Sequence, residues 1–549
     1  MPYPTQIPSY LPSLIALYVV AHVSFLFIYR LYLHPLAKYP GPFLAKITSL
    51  YSAYHGYRRD IHIDVQACHE KYGDFVRYGP NKLLVNTATG VQDIYGYKNN
   101  VKKARYYSSF HKGLVPSTLS AYDKDDHMPR RKILNPSFSQ AALKQYDATI
   151  ARHADIFIHQ VAENNGSSGS RTVTGNSAWT VGRDMALWCM HSKLLGLKAW
   201  PPLLTIYVGD YLGFDIMTSL VFGISRNLTT TPDYRFMVHL IEERMHTIGF
   251  FGQSPWLLAL KLDRLLFPGL VKSTRRFRQA AFSLVQASMQ TSRERDSSDI
   301  LKNLMQVKAA SGTGGLTQQD LYAEAVIMMV AGSDTTSTTL AAFFFYVSRN
   351  PAAYEQVTEE VRSTFSTLDS IQPGPELSGC TYLLACINEA LRIAPASPAP
   401  LWREVKTGGA VIDHQAMPAG TNVAATIYAM HHNAEYFPEP YSFRPERWIA
   451  SMDNPKEKID AARVAFIPFS TGPRGCVGKP LAMKELTLTL ARILWSLDFK
   501  MVEGEMGKLG EGGPGLGTGR ERRDEYQLKA GFTAGKEGPV VQFRRRVFA

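Results

Sequence analysis

The sequence predicts a mainly α-helical fold with small β-sheets, preceded by a single N-terminal helix that spans a membrane. Three observations carry this. Residues 11–33 (LPSLIALYVVAHVSFLFIYRLYL) form one predominantly apolar run, long enough to cross a hydrocarbon core as a helix. Apolar residues recur at helical spacing through much of the remaining chain. Strand-like runs are few and short. Residues 76–85 (VRYGPNKLLV) carry a turn in their middle, as a hairpin does.

The apolar run sets the topology. No Lys or Arg precedes it, whereas Arg30, Lys38 and Lys46 follow it, so the positive-inside rule places the body in the cytosol. A cleaved signal peptide would instead show a basic n-region and a small-residue cleavage site, and neither is clear. We expect residues 1–34 to be a single-pass anchor in the endoplasmic reticulum membrane, with residues 35–549 as one cytosolic catalytic domain. Tyr39-Pro40-Gly41-Pro42 follows the anchor as a linker turn or as a stiff joint.

Farther along, residues 316–349 predict a long helix. Thr317 and Asp320 are spaced as a capping box, and Pro351 marks its end. Residues 480–497 predict another helix. Residues 164–177 and the Gly-rich residues 503–523 read as loops.

Composition narrows the function. With 549 residues, 45% hydrophobic and 19% charged, the chain builds a large core and is not disordered. Its five cysteines (Cys68, Cys189, Cys380, Cys386, Cys476) show no CxxC pair and no framework spacing, which argues against zinc ribbons and disulfide scaffolds. The net charge of +13 is scattered, apart from Arg544-Arg545-Arg546, and lacks any nucleic-acid signature. A membrane surface or an acidic redox protein suits it better.

Cys476 lies in FSTGPRGCVG, just before the helix that begins near Pro480. A helix N-terminus and nearby backbone N–H groups favour a thiolate, and a thiolate is a soft ligand for iron. Gly472 and Gly478 would let the backbone approach a flat macrocycle. Arg474 would pair with an acidic group on its rim, and Phe469 would shield the sulfur. The bland alternative is a structural cysteine in a Gly-rich turn.

This segment resembles the haem-binding signature of the cytochrome P450 family, FxxGxRxCxG, at every fixed position. The resemblance covers nearly all of the chain after the anchor. It implies a cytochrome P450 fold with haem b ligated through Cys476. Further motifs follow it. Glu389-Ala-Leu-Arg392 and Pro445-Glu-Arg447-Trp448 resemble the segments that build a buried structural network from Glu389, Arg392 and Arg447. Ala331-Gly332-Ser333-Asp334-Thr335-Thr336 resembles the oxygen-activation segment, with Thr335 as its hydroxyl and Asp334 as its proton-relaying acid. The bland alternative is that Thr335 bonds back to a carbonyl one turn earlier. His127-Met-Pro-Arg130-Arg131 stands where many members carry Trp and Arg four apart, both meeting a haem propionate. Here Arg131 matches, and His127 replaces the Trp. Arg403 is a further propionate candidate.

The implied reaction is insertion of one oxygen atom from O2 into a small apolar substrate. Electrons would come from NADPH through a separate cytochrome P450 reductase, docked on basic residues that include Lys479 and Lys484. Met328, Met329, Ala399 and Phe532 are expected to line the substrate site. The layout is similar to fungal members acting in secondary metabolism or in detoxification. Two alternatives remain: a member that isomerises or dehydrates without oxygen insertion, and a non-catalytic ligand-binding haem protein.

One segment departs from the pattern. Residues 190–210 (MHSKLLGLKAWPPLLTIYVGD) interrupt what is a single helix in relatives, and Pro201-Pro202 forbids continuous helix through them. We expect translated non-coding sequence, or else a surface insertion.

Overall fold

The computed structural model describes residues 10–97, 99–111, 115–163, 208–291, 299–310 and 316–547. The N-terminal helix α1 (Leu11–Ile28) continues through a π-helical turn, Tyr29–Leu33. Ser13–Leu33 has mean hydropathy 1.9, none of it is buried, and it is long and apolar enough to cross a membrane. The joint after it is locked by Arg77. This buried side chain donates to the carbonyl of Arg30 at 2.7 Å, while its own backbone N–H donates to Pro40 at 2.7 Å.

Strands β1 (Phe75–Gly79) and β2 (Lys82–Val85) form the expected antiparallel hairpin, with Phe75 opposite Val85. Helix α2 (Ala88–Tyr95), capped by Thr87, and strand β3 (Val101–Lys103) follow, then α3 (Lys124–Leu134). The helical body contains α4 (Val208–Phe222), α5 (Phe236–Gln253), α6 (Leu270–Thr291), α7 (Gln318–Arg349) and α8 (Thr381–Ile393). Strands β4 (Arg403–Val405) and β5 (Asn422–Ala424) complete a five-stranded sheet in the order β1-β2-β5-β4-β3. Only the β2–β5 pairing is parallel. Helix α9 (Lys479–Ser496) precedes a C-terminal hairpin of β6 (Leu528–Ala530) and β7 (Ala534–Lys536). Residues 503–523 contain neither helix nor strand.

Helix α7 is the central post. Its capping box is complete: Asp320 N–H donates to Thr317 Oγ1 at 3.1 Å, and Thr317 N–H donates to Asp320 Oδ2 at 2.8 Å. At the other end Asn350 caps the next helix, which Pro351 opens. Helix α4 packs along α7 through two glycines. A Cβ on Gly213 would lie 2.9 Å from the Ser333 carbonyl oxygen, and one on Gly332 would lie 2.5 Å from Met217 sulfur. The motif at 331–336 is therefore clamped against α4.

That packing corrects the expected insertion at its C-terminal edge. Residues 208–210 form the first turn of α4, and Asp210 is buried and ion-paired with Lys536 at 2.7 Å. Asp210 belongs to the core, because a buried ammonium depends on its carboxylate. Residues 190–207 and the loop expected at 164–177 lie outside the described residues.

Candidate active site

Cys476 sits in the turn between a 3₁₀ turn, Gly472–Arg474, and α9. Its N–H donates to the carbonyl of Phe469 at 2.9 Å and closes the loop, while the Phe469 ring is partly buried against the core. Gly472 has φ +67°, and a Cβ there would come within 2.0 Å of the Tyr95 carbonyl oxygen. The reason for this glycine therefore differs from the expected one: it lets the loop seat on the end of α2. Gly478 has an ordinary backbone (φ −82°), and its N–H favours a thiolate at Cys476.

The Cys476 side chain is accessible, yet protein atoms crowd around it. Burial pushes its thiol above the usual range. The Gly478 N–H, the Arg131 charge and the Lys479 N–H pull it back. Arg131, from α3, donates to the Gly475 carbonyl at 2.8 Å and to Asn135 at 3.0 Å. Helix α3 thus grips the residue just before the cysteine.

Around this loop lies a cluster of cations. Arg474 donates to the carbonyls of Ala121, Tyr122 and Asp123 at 2.8–2.9 Å, so its first task is to hold that segment. Arg403 is buried and donates to Tyr107 Oη at 3.1 Å and to the Leu401 carbonyl at 3.1 Å. Lys103 is buried, bonds the Leu119 carbonyl and lies 4.3 Å from the centre of the Tyr107 ring. Burial, then the charges of Arg403, Arg474 and Arg131, drive the Lys103 ammonium well below its usual range. His127 is buried too; burial, then Arg474, Lys103, Arg131 and Arg403, bring it down to about 3, so it is neutral at physiological pH. Among the described residues, no carboxylate is ion-paired with Lys103, Arg131, Arg403 or Arg474.

On α7, Thr335 donates to the Ala331 carbonyl at 2.7 Å, which is the one-turn back-bond that its residue type allows. It does not bond Asp334. The Asp334 carboxylate accepts instead from the hydroxyl of Thr533, in the turn of the β6–β7 hairpin. Burial raises the Asp334 carboxyl to about 6, against the pull of the Lys536 charge and the Thr533 hydrogen bond.

Glu389, Arg392 and Arg447 meet in the interior. Arg392 donates to both carboxylate oxygens of Glu389 at 2.8 and 3.0 Å, and Arg447 donates at 2.9 Å. Trp448 Nε1 adds a further bond at 2.9 Å. Arg392 also donates to the carbonyls of His431 and Pro440 at 2.8 and 2.7 Å.

A cavity of about 910 Å³ runs beside α7, within the size range of small-molecule sites. Phe110, Phe277, Phe282, Tyr322, Val326 and Val330 supply much of its apolar wall. Met328 and Met329, expected there, are buried in the core and are not among the residues that line this cavity. Ala399 is likewise core, and Phe532 stacks edge-on against Phe110 at 4.6 Å, behind that wall.

With this geometry in hand, comparison with known proteins is decisive. The family model described as Cytochrome P450 matches residues 210–524. The chain belongs to the cytochrome P450 family. Cytochrome P450 monooxygenase AKT7 of Alternaria alternata is 36% identical over 97% of both chains. Cytochrome P450 monooxygenase apf7 of Gibberella fujikuroi is 38% identical over 97% of this chain and 98% of its own. Cytochrome P450 monooxygenase atnE of Emericella nidulans is 36% identical over 94% and 93%. The P450 described here is thus a haem-dependent monooxygenase of the same kind, working with a redox partner on an organic substrate.

The residues present fit a haem. Uncompensated, partly buried cations call for an anion, and the propionates of a haem would meet that need beside an accessible thiol. Sequence reasoning missed Lys103, Tyr107, Thr533, Lys536 and Asp210. None of them stands in a spaced motif, and each reaches the site only through tertiary contacts.

Proposed function

We propose that Cys476 is the thiolate ligand of a b-type haem and that Lys103, Arg131, Arg403 and Arg474, with neutral His127 as a hydrogen-bonding partner, hold its propionate edge. The cluster of cations without ion-paired carboxylates, beside an accessible cysteine, carries this reading. When bound, a thiolate-ligated haem activates dioxygen and inserts one atom into the substrate, releasing the other as water. The chain's own residues would do the rest. Phe469, Gly472 and Gly478 shape the loop around the sulfur. Asp334, held near pH 6, stores a proton, and Thr335 supplies a hydroxyl one residue away. Glu389, Arg392 and Arg447 brace the scaffold beneath. The long, mostly apolar cavity supports a small apolar substrate.

The same reading assigns residues 1–34 as a single-pass endoplasmic reticulum anchor with residues 35–549 in the cytosol, and an NADPH-dependent cytochrome P450 reductase as the electron donor. Lys479 is exposed and suits docking to an acidic surface. Lys484 does not, because Asp147 and the Leu143 carbonyl already hold it. Fungal relatives similar over nearly full length support a place in secondary metabolism. Residues 190–207 remain our candidate for retained non-coding sequence; their presence in the mature transcript would sink that idea.

The test is spectroscopic. Reduced, haem-loaded protein should give the thiolate-type carbon monoxide difference band, and Cys476→Ala should lose it. A folded, loaded wild type without the band would overturn the assignment. Gene deletion with metabolite profiling tests the pathway class.

A further inference from the structure

Lys536 is a buried lysine that the reading above does not use. It ends the C-terminal hairpin, whose position is set from several sides. Phe532 N–H donates to the Met245 carbonyl, and Ala534 N–H donates to the Ala396 carbonyl, both at 2.9 Å. Ser397 donates to the Phe532 carbonyl at 2.9 Å. So fixed, the hairpin delivers two side chains to α7. Thr533 bonds the Asp334 carboxylate. Lys536 donates to Asp210 at 2.7 Å and to Ser337 Oγ at 3.0 Å, while Ser337 donates to Asp210 at 2.5 Å.

Asp210, Ser337 and Lys536 are all buried, on α4, α7 and β7. The triad is fully bonded, so its lysine has a single placement. Ser337 lies one turn beyond Asp334, with its Oγ 2.9 Å from the Asp334 carbonyl oxygen. A fixed ammonium in a low-dielectric interior acts strongly on a neighbouring carboxyl. A simple core role is a weak account of such a group, since buried ion pairs often stabilise no more than apolar packing does.

We infer that Lys536 is a positioning residue for the monooxygenase reaction: held by Asp210 and Ser337, its charge sets how firmly Asp334 keeps its proton, while Thr533 fixes which way that carboxyl points. The inference rests on the proposed role of Asp334 as the proton-carrying acid. Every charged group acting on Asp334 has a definite sign. Lys536 favours the ionised carboxylate, whereas Asp210 and Glu242 disfavour it. Glu242 is paired with Arg59 at 2.9 Å and Lys536 with Asp210 at 2.7 Å, so removing one member of the second pair leaves the other acting on Asp334 uncompensated.

Opposed signs make the test two-sided. Lys536→Met should move the Asp334 midpoint to higher pH by about one unit or more, and Asp210→Asn should move it lower. Lys536→Arg should restore the wild-type midpoint. Two readouts apply to the haem-loaded full chain. One is the infrared carboxyl band followed by pH titration, assigned by its loss in Asp334→Asn. The other is the pH profile of NADPH-dependent, reductase-supported turnover. Loss of packing alone would move both variants the same way, or neither. If both keep the wild-type midpoint while retaining the carbon monoxide band, the inference fails. If Asp334→Asn leaves the alkaline limb of turnover intact, the role of Asp334 fails first.

Discussion

Arg131 donates to the carbonyl of Gly475 at 2.8 Å, so a residue of α3 grips the backbone immediately before Cys476. The same guanidinium favours the thiolate electrostatically. Arg131→Met should loosen the cysteine loop and raise the thiol pKa together. Faster haem transfer to an apo-globin acceptor is expected, by tenfold or more, in keeping with about 1.5–3 kcal/mol for a charged hydrogen bond. Arg131→Lys should recover part of the loss, because it keeps the charge but not the planar fork. Equal transfer rates in wild type and Arg131→Met would contradict the contact's role.

Lys103 makes the opposite kind of prediction. Its ammonium is buried beside the like charges of Arg403, Arg474 and Arg131. Lys103→Met should therefore stabilise the haem-free chain, by about 1–3 kcal/mol in urea unfolding. The same variant should release haem faster. If it loses stability in both states, the lysine is simply part of the core.

Glu389 anchors three side-chain donors, from Arg392, Arg447 and Trp448. Arg392 and Arg447 together hold its carboxyl below the usual range, against burial. Glu389→Gln strands two guanidinium groups and should cost about 3–5 kcal/mol. Denaturant unfolding measures this directly. A loss under 1 kcal/mol would show that the network contributes little.

Glu485, on α9, is buried, one of its carboxylate oxygens has no partner, and burial raises its carboxyl to about 8. The folded state thus holds a proton that the unfolded chain loses near the ordinary glutamate range. Its contribution to stability is complete below about pH 4.5 and declines as pH rises towards 8, by about 1.4 kcal/mol per unit. Glu485→Gln should flatten the stability–pH curve in that window and exceed the wild type above it. Parallel curves from pH 5 to 8 would refute this.

Much of this protein is legible from spacing alone. The apolar run at 11–33, the capping box at Thr317 and Asp320, and the hairpin around residues 80–81 are local patterns, and local patterns have local physical causes. The motif around Cys476 is equally local: one loop and the helix start after it supply the sulfur and its N–H partners. Two site residues needed more than spacing. Gly472 is explained by Tyr95, which lies 377 positions earlier, and Arg474 by the carbonyls of Ala121 to Asp123. The face of α7 that lines the cavity also escaped, because Met and Val at helical spacing look alike until a neighbouring helix covers one side.

By itself, then, the sequence determined the fold class, the anchor-like helix, the cysteine motif and the family resemblance, all carried by residues close together in the chain. Tertiary structure alone decided which charges lack partners and which acids keep their protons. Lys103 meets Arg403 and Arg474, and Asp334 meets Thr533 and Lys536, across 199 to 371 positions of sequence. Burial and like-charge proximity set those protonation states, and neither exists until the helices pack.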